Sequence, residues 1–599
     1  MTHVYNSERG FKDEFVDGLV AAYSRYLERV PNASGVMSVT APVAGRASVL
    51  IGGGSGHYPA FAGLVGPGLC DGAIIGDIFT SPSSEQAYRC IRALDGGAGV
   101  LLSFGNYSGD VMNFGLAAER ARAEGTDVRI VLVTDDVASA PADRQVGRRG
   151  IAGGFFVFRA ASAAAHEGRS IDDVERIARR VNAATFTFGV AFSGCTFPGR
   201  AEPLFVVAPG RIDLGLGIHG EPGIDTIDWL PADDLAVVIV GPILAERPSG
   251  ATRAKVLLNG LGDTKYEELF VLYRTLSRLL SEAGVVIVDP EVGEFVTSLD
   301  MAGCSLSVCW LDDEMERLLA APAAAPSFRT ASAPAAAPGF RTASAPASAP
   351  ARSSATPRTA PTRTAGQPVN RPGPAPARSA FVPATKLAGA VVRSLARMAA
   401  AISEVEGELG RLDAVAGDGD HGAGMVRGMT ASAEAAATAG PRGSDVLEAA
   451  GLAFSDAAGG ASGALWGAGM LAAAARLSTL GQDEREALED APDVPSIHLM
   501  LVAASDAIQA LGDAKPGDKT MVDALAPFVE AFGGTTETSV RAAWASAAAV
   551  ARDAAAATAD MGSRRGRAAT HGERSRGTPD PGAVSMAVAL GAACRKEEQ

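Results

Sequence analysis

The chain has no surplus of positive charge. Its 53 Lys and Arg stand against 68 Asp and Glu, a formal net charge of −15 over 599 residues. Nucleic acids and anionic membrane surfaces are bound through clustered cations, so neither is an expected partner. Phosphate chemistry, if present, has to take its positive field from a metal ion or from backbone amides. Cysteine is scarce as well. The six, at 70, 90, 195, 304, 309 and 594, are irregularly spaced without a CxxC pair, which suits reduced buried thiols in a cytoplasmic protein and not a disulfide framework. The opening MTHVYNSERGFKDEF mixes charges of both signs and has no apolar run, so no signal peptide is expected. One charge-free Ala-rich stretch, residues 457–475, holds five glycines among mostly alanines and reads as close-packed interior rather than a membrane span.

What is present is globular: 47% apolar and 20% charged residues, in a length that suits two to four domains. The composition breaks near 320. Residues 321–382 are Ala, Pro, Ser, Thr and Arg, with a near-exact duplication, APSFRTASAPAA then APGFRTASAPAS, around Phe328 and Phe340. Repeated proline and the lack of core formers predict a disordered, extended linker. Before it, residues 1–320 alternate short apolar runs (47–51, 99–104, 128–134, 204–208, 235–240, 256–258, 285–288) with helix-like segments at 171–184 and 266–282. Runs lacking period-two alternation suit strands covered on both faces, so the expected fold is α/β. At this length two α/β subdomains are expected. Residues 383–599 are Ala- and Leu-rich, with helical segments at 387–409, 444–457, 496–511 and 539–561, and predict an all-α domain.

The densest chemical signal is LDAVAGDGDHGAGM, which puts Asp413, Asp418 and Asp420 within eight residues. Carboxylates on one glycine-bearing turn repel unless a hard cation such as Mg²⁺ joins them. Three further glycine-rich loops, residues 459–467, 515–523 and 565–583, can bring backbone N–H groups to a phosphate. None is a P-loop. In the first body, an apolar run ending at Ile51 meets GGGSGHYPAF, SFGNYSGDVMNF carries Asp110, and GLGIHGEPG carries His219. All three sit at expected strand exits, where ligands of α/β sheets bind. His57 breaks a GxGxxG reading, so a dinucleotide fold is not expected.

GGGSGH, GNYSGDVMNF, SGCTFPG, GIHGEPG, NGLGDT and SLDMAGCSLS together resemble the substrate-binding domain of the dihydroxyacetone kinases. LDAVAGDGDHGAGM, GGASGALWG, PGDKTMVDAL and the closing GER…DPGA resemble the nucleotide-binding domain of the same family. The motifs cover nearly all of the chain outside the linker, in the family's order. The resemblance implies the single-chain, ATP-dependent form, with its erythrulose branch a candidate, and with the helical part built as a barrel of antiparallel helices.

The resemblance also implies roles. His219 adds covalently to a ketone as a hemiaminal, which selects small ketoses over polyols. Asp110 and His57 hydrogen-bond and deprotonate the terminal hydroxyl, and Gly54, Ser55 and Gly56 cradle the substrate. Asp413, Asp418 and Asp420 hold Mg²⁺ on ATP. Asp418, Gly419, Asp420, His421, Ala461, Ser462, Gly517, Arg567, Asp580, Pro581 and Gly582 contact the nucleotide. A homodimer is implied, with the helical domain of one chain over the substrate site of the other. The chain departs from the family at Gly105, where a Lys is usual, and at Tyr58, where a Glu is usual. A lost lysine predicts room for a fourth carbon, as in erythrulose. Thr570, His571 and Thr578 also depart. The alternatives left open are plain dihydroxyacetone phosphorylation, an FAD-cyclising lyase and a non-catalytic ketose sensor.

Overall fold

The computed structural model describes residues 4–8, 10–221, 223–330, 385–415, 417, 419–565 and 575–595. The first body is α/β and is organised around two sheets. In the first, strand Ser48–Ser55 lies between Gly72–Ile78 and Val100–Gly105, with Val128–Val133 beyond, all four parallel. Gly35–Ser38 and Leu27–Arg29 add antiparallel strands at the other edge. All eight residues of Ser48–Ser55 are buried, as a central parallel strand with both faces covered requires. The second sheet is largely antiparallel, with Gly303–Trp310 between Thr185–Ala191 and Arg253–Gly260. Each sheet has an apolar cluster of its own, and a further one holding Ile51, Val131, Leu257 and Cys309 joins the two, so the two expected α/β subdomains are present and share part of their core.

Two of the expected strands are not strands. Residues 204–208 are irregular, and residues 235–240 lie inside the helix Ala232–Ala245. The run LAVVIV imitates a buried strand, but Asp233 and Asp234 occupy the first turn, where negative charge favours a helix. Leu235, Ala236, Ile239, Val240 and Ile243 are buried, the three-and-four spacing of a helix face, while Val237 is 57% exposed.

The chain also stays on this body past the expected boundary at 320. Ala323, Ala325 and Phe328 are buried. The Phe328 ring packs against Phe155 and Phe295, with centroids 4.9 and 6.1 Å away, under the Arg159 guanidinium. Arg159 donates to the carbonyls of Leu319 and Ala321, and Ala324 N–H donates to Pro67 O. The first half of the first copy, residues 325–330, is therefore part of the folded body, and the rest of that copy and Phe340 of the second lie outside the described residues.

The second body is all α-helix in its described residues. Its core joins Met425, Phe454, Trp466, Leu525, Phe528 and Leu590, drawn from five of its helices. The expected helix 387–409 is two, Lys386–Glu404 and Glu406–Asp413. Val494–Gly512 is long and apolar enough to cross a membrane by length and composition; here it packs against Gly460–Ser478 and Val522–Gly533. Five of the six cysteines are buried and all are free.

Candidate active site between the two bodies

Strand Ser48–Ser55 delivers GGGSGH to its C-terminal end. A Cβ on Gly54 would come within 2.9 Å of Phe79 and Thr80 backbone atoms, so only glycine lets these chains approach. Beyond it His57 is buried, with Nδ1 2.8 Å from Thr297 O. A carbonyl only accepts, so the His57 proton on that side sits on Nδ1. His57 Nε2 lies 3.0 Å from His219 Nε2. His219 is buried too, its Nδ1 2.9 Å from Glu221 Oε1. Tyr107 packs edge-on against the His219 ring at 4.6 Å. Gly54, His57, Gly105, Tyr107, Asp110 and His219 line one small cavity.

Asp110 is in the first turn of helix Ser108–Ala123, where the helix dipole favours a negative group. The residue before it, Gly109, faces the other way. With Thr80, Ser108 and Met112 it forms one wall of a second cavity, of about 420 Å³, whose remaining lining comes from the helical body. That lining includes Asp413, Asp420, His421, Ala461, Ser462 and Asp580, with Pro581 and Gly582 beside them. One helical turn thus separates the two cavities.

The bodies are joined around this turn. Thr80 Oγ1 donates to Asp420 Oδ2 at 2.7 Å, and Asn113 Nδ2 donates to Gly460 O at 2.9 Å. Gly460 N–H donates to Ser81 O at 3.0 Å, and Ser83 and Gln86 both donate to Asp456. Gly459 has φ +62°, and a Cβ there would meet Ser81 O at 2.6 Å. The glycine pair that opens helix Gly460–Ser478 is what allows this contact.

Burial, reinforced by the neighbouring Asp413 carboxylate, pushes the Asp420 carboxyl above its usual range. Burial likewise pushes Asp580 up to about 7, with Asp413 and Asp523 adding to it against an N–H bond from Ala583. Oxygen ligands crowded at the mouth of a phosphate-sized cavity suit Mg²⁺. Among the described residues no three such groups form a complete cation site, and Asp418 lies outside them. Burial lowers the pKa of His421 to about 4, so it is neutral between Ser585 Oγ and Ser462 Oγ.

Of the residues expected at the nucleotide, Gly419 borders a crevice next to Asp420 and Gly517 lies in a separate surface depression. Arg567, Thr570 and His571 fall outside the described residues. Ser55 and Gly56 belong to the turn but not to the cavity lining, and Ser55 Oγ is buried with no hydrogen-bond partner among the described residues. The room expected at Gly105 is not open: a Cβ there would meet the Tyr107 ring at 2.8 Å. Tyr107 Oη holds that ring by donating to Gly150 O. Tyr58 is away from the cavity, hydrogen-bonded to Ser327 at 2.8 Å. Thr578 O accepts from Lys519 and its N–H donates to Ser575 O.

Sequence reasoning missed Thr80, Tyr107, Glu221 and Lys519. Glu221 stood in a quoted motif, but its partner could be read only from the turn. Lys519 donates to the carbonyls of Met561, Ser575 and Thr578, which gather the strands of a loop from distant sequence.

An α/β body and a helical body that share one helix turn, with histidines on one side and carboxylates on the other, define a two-substrate phosphotransfer enzyme. Residues 17–327 match the Dak1 domain and residues 415–595 the DAK2 domain. The chain belongs to the dihydroxyacetone kinase family, on its erythrulose kinase branch, and is a kinase. It is 48% identical to a D-erythrulose kinase of Mycolicibacterium smegmatis, over 98% of this chain and 97% of that protein. It is 46% identical to an L-erythrulose 1-kinase of the same organism, over 98% of both chains. Among solved structures it is similar to the dihydroxyacetone kinase of C. freundii in complex with AMP-PNP and Mg²⁺, with a TM-score of 0.51, 27% identity and 99% coverage of both chains.

Proposed function

We propose that this protein transfers the γ-phosphoryl group of ATP to a terminal hydroxyl of erythrulose. The carrying observation is the shared turn, with Asp110 lining the histidine cavity and Gly109 lining the larger one. A hydroxyl held by Asp110 is then within one turn of the phosphate groups. His219 captures the ketone through Nε2 as a hemiaminal, which a polyol such as glycerol cannot form. Asp110, with His57 beside it, accepts the hydroxyl proton as the oxygen attacks phosphorus. The N-terminus of helix Ser108–Ala123 would lie beside the transferring phosphate, the end of a helix dipole that favours negative charge.

Asp413, Asp418 and Asp420 would hold Mg²⁺, which offsets the phosphate charge that this acidic protein cannot. The nucleotide would lie on Asp418, Gly419, Asp420, His421, Ala461, Ser462, Arg567, Asp580, Pro581 and Gly582, with Gly517 left outside the cavity, and the ketose on Gly54, Ser55, Gly56, His57 and Asp110. The reaction belongs to the cytoplasm, in keeping with buried free thiols. Homodimerisation fits the exposed Val237, Phe270 and Val271 on two adjacent helices. In a single chain the helical body closes over its own substrate body, and exchange of helical bodies between two chains would use the same contacts. Mixing a His219→Ala chain with an Asp420→Ala chain separates the two arrangements, since activity returns only with exchange.

The two Mycolicibacterium relatives act on opposite enantiomers at nearly equal identity, so the enantiomer has to be measured. The test is an ATP-consumption assay with Mg²⁺ on dihydroxyacetone, D-erythrulose, L-erythrulose and glycerol. One erythrulose enantiomer should have the highest kcat/KM and glycerol none. A dihydroxyacetone preference overturns the four-carbon assignment, and ATP binding without turnover on any ketose overturns the reading as a whole.

A further inference from the structure

His219 is held by a chain of buried charges that the catalytic scheme has not used. Glu221 grips its own turn twice: Oε2 accepts from the His219 backbone N–H at 3.0 Å, and Oε1 lies 2.9 Å from His219 Nδ1. Arg149 reaches the same carboxylate, Nη1 standing 3.9 Å from Oε2. Arg149 is in turn fixed by Asp136, with Nε and Nη2 at 2.9 and 2.8 Å from Oδ2. Glu221 is 5% exposed and Asp136 1%. Buried charge of this kind is retained at a cost and only when paired. The turn is also shaped for it: a Cβ on Gly217 would meet Glu221 Oε2 at 2.0 Å, so the carboxylate occupies the place of a missing side chain.

We propose that Glu221, braced by Arg149 and Asp136, is a positioning residue that fixes the His219 proton on Nδ1, frees Nε2 to attack the ketone, and balances the charge the ring then carries. The inference rests on the covalent capture proposed above. A carboxylate accepts, so the Nδ1 that faces it bears the proton and Nε2 keeps its lone pair. His57 also has its Nδ1 proton committed, to Thr297 O. The 3.0 Å contact between the two Nε2 atoms therefore needs one shared proton, and attack by His219 Nε2 requires that this proton be on His57.

On capture the His219 Nε2 lone pair forms a bond to the ketone carbon, and the C=O π pair moves to oxygen. That oxygen takes the proton from His57 Nε2 and becomes the hemiaminal hydroxyl. His57 is left neutral, and the substituted His219 ring carries the positive charge. The total is unchanged, and the charge has moved from one ring to the other, into contact with Glu221.

The test is ¹³C NMR of the full chain with C2-labelled erythrulose and no nucleotide. The native protein should show a bound tetrahedral carbon. Glu221→Gln, which keeps size and a hydrogen-bond acceptor but not the charge, should lower its occupancy about tenfold or more, by analogy with carboxylates that orient histidine ligands. KM for the ketose should rise while AMP-PNP affinity stays the same. Glu221→Asp should recover part of the signal. Gly217→Ala, which pushes the carboxylate away without removing it, should repeat the loss and keeps the test open if Glu221→Gln does not fold. A native signal with undiminished Glu221→Gln and Gly217→Ala signals overturns this inference and leaves covalent capture standing. No tetrahedral carbon in the native protein overturns both.

Discussion

The hydroxyl of Thr80 has one proton to donate, and of its two acceptors Asp420 Oδ2, across the junction of the two bodies, is nearer at 2.7 Å than Ile78 O at 3.1 Å. Thr80→Val keeps the shape and removes the donor. An orphaned buried carboxylate oxygen costs about 1–3 kcal/mol, so kcat/KM for the nucleotide should fall about fivefold or more. Steady-state kinetics with both substrates varied checks this, and a value within about twofold of native would show that Thr80 does not set Asp420. Asp135 gives a pH signature on the other side of the site. It is fully buried and accepts N–H bonds from Ile151 and Gly153, two residues of the loop around the ketose cavity. Burial, only partly offset by a bond from the Thr187 hydroxyl and by those N–H bonds, pushes its pKa up to about 6, above an unfolded value of roughly 4. The folded state thus binds the proton more tightly, and this stability is full below about pH 4 and lost as pH rises through about 6. Asp135→Asn should remove that part of the slope. Urea unfolding of both proteins across pH 4–7 measures it, and parallel profiles would refute it.

At the scale of the element, the segment 321–330 is a strap on the α/β body. Phe328→Ala removes a buried ring from Phe155, Phe295 and Arg159 and should cost about 3–5 kcal/mol. Calorimetry should show the transition of the α/β body falling while that of the helical body stays. Unchanged melting would mean that the strap is not part of the cooperative unit. The same segment shows where sequence reading reaches its limit. Its Ala, Pro and Ser composition reads as linker, because one aromatic ring filling a gap between distant side chains leaves no periodic trace. LAVVIV at 235–240 reads as a strand because its β-branched run outweighs the two aspartates that start the helix. The glycine-rich turns and the aspartate cluster were legible because each is contiguous and its residue types are chemically unusual. Glu221 was invisible as a partner of Arg149, since the two are brought together only by packing of the Arg149 loop on the His219 turn.

For the whole molecule, the two bodies are tied by residues 331–384, and the site is complete only when they dock. A tether holds docking partners at an effective concentration in the millimolar range. Intact protein should therefore keep its specific activity on dilution. Protein cut within the Ala/Pro-rich stretch should be active when concentrated and lose activity on dilution into the nanomolar range. A dilution series of both forms in the ATP-consumption assay decides it, and identical curves would mean that the docked contacts alone hold the bodies together.

The single helical turn between the cavities also limits how the enzyme can be re-engineered for longer sugars. A Cβ on Gly109 would lie 3.2 Å from Ala461 N and from Ser81 Cβ, so moving that wall to admit a larger ketose pushes directly on the ATP side. The opposite side of the ketose cavity, where Phe61, Ile151 and Phe158 face it, has no such double duty. Trimming those side chains is the route by which the acceptor range can widen while the donor site stays as it is.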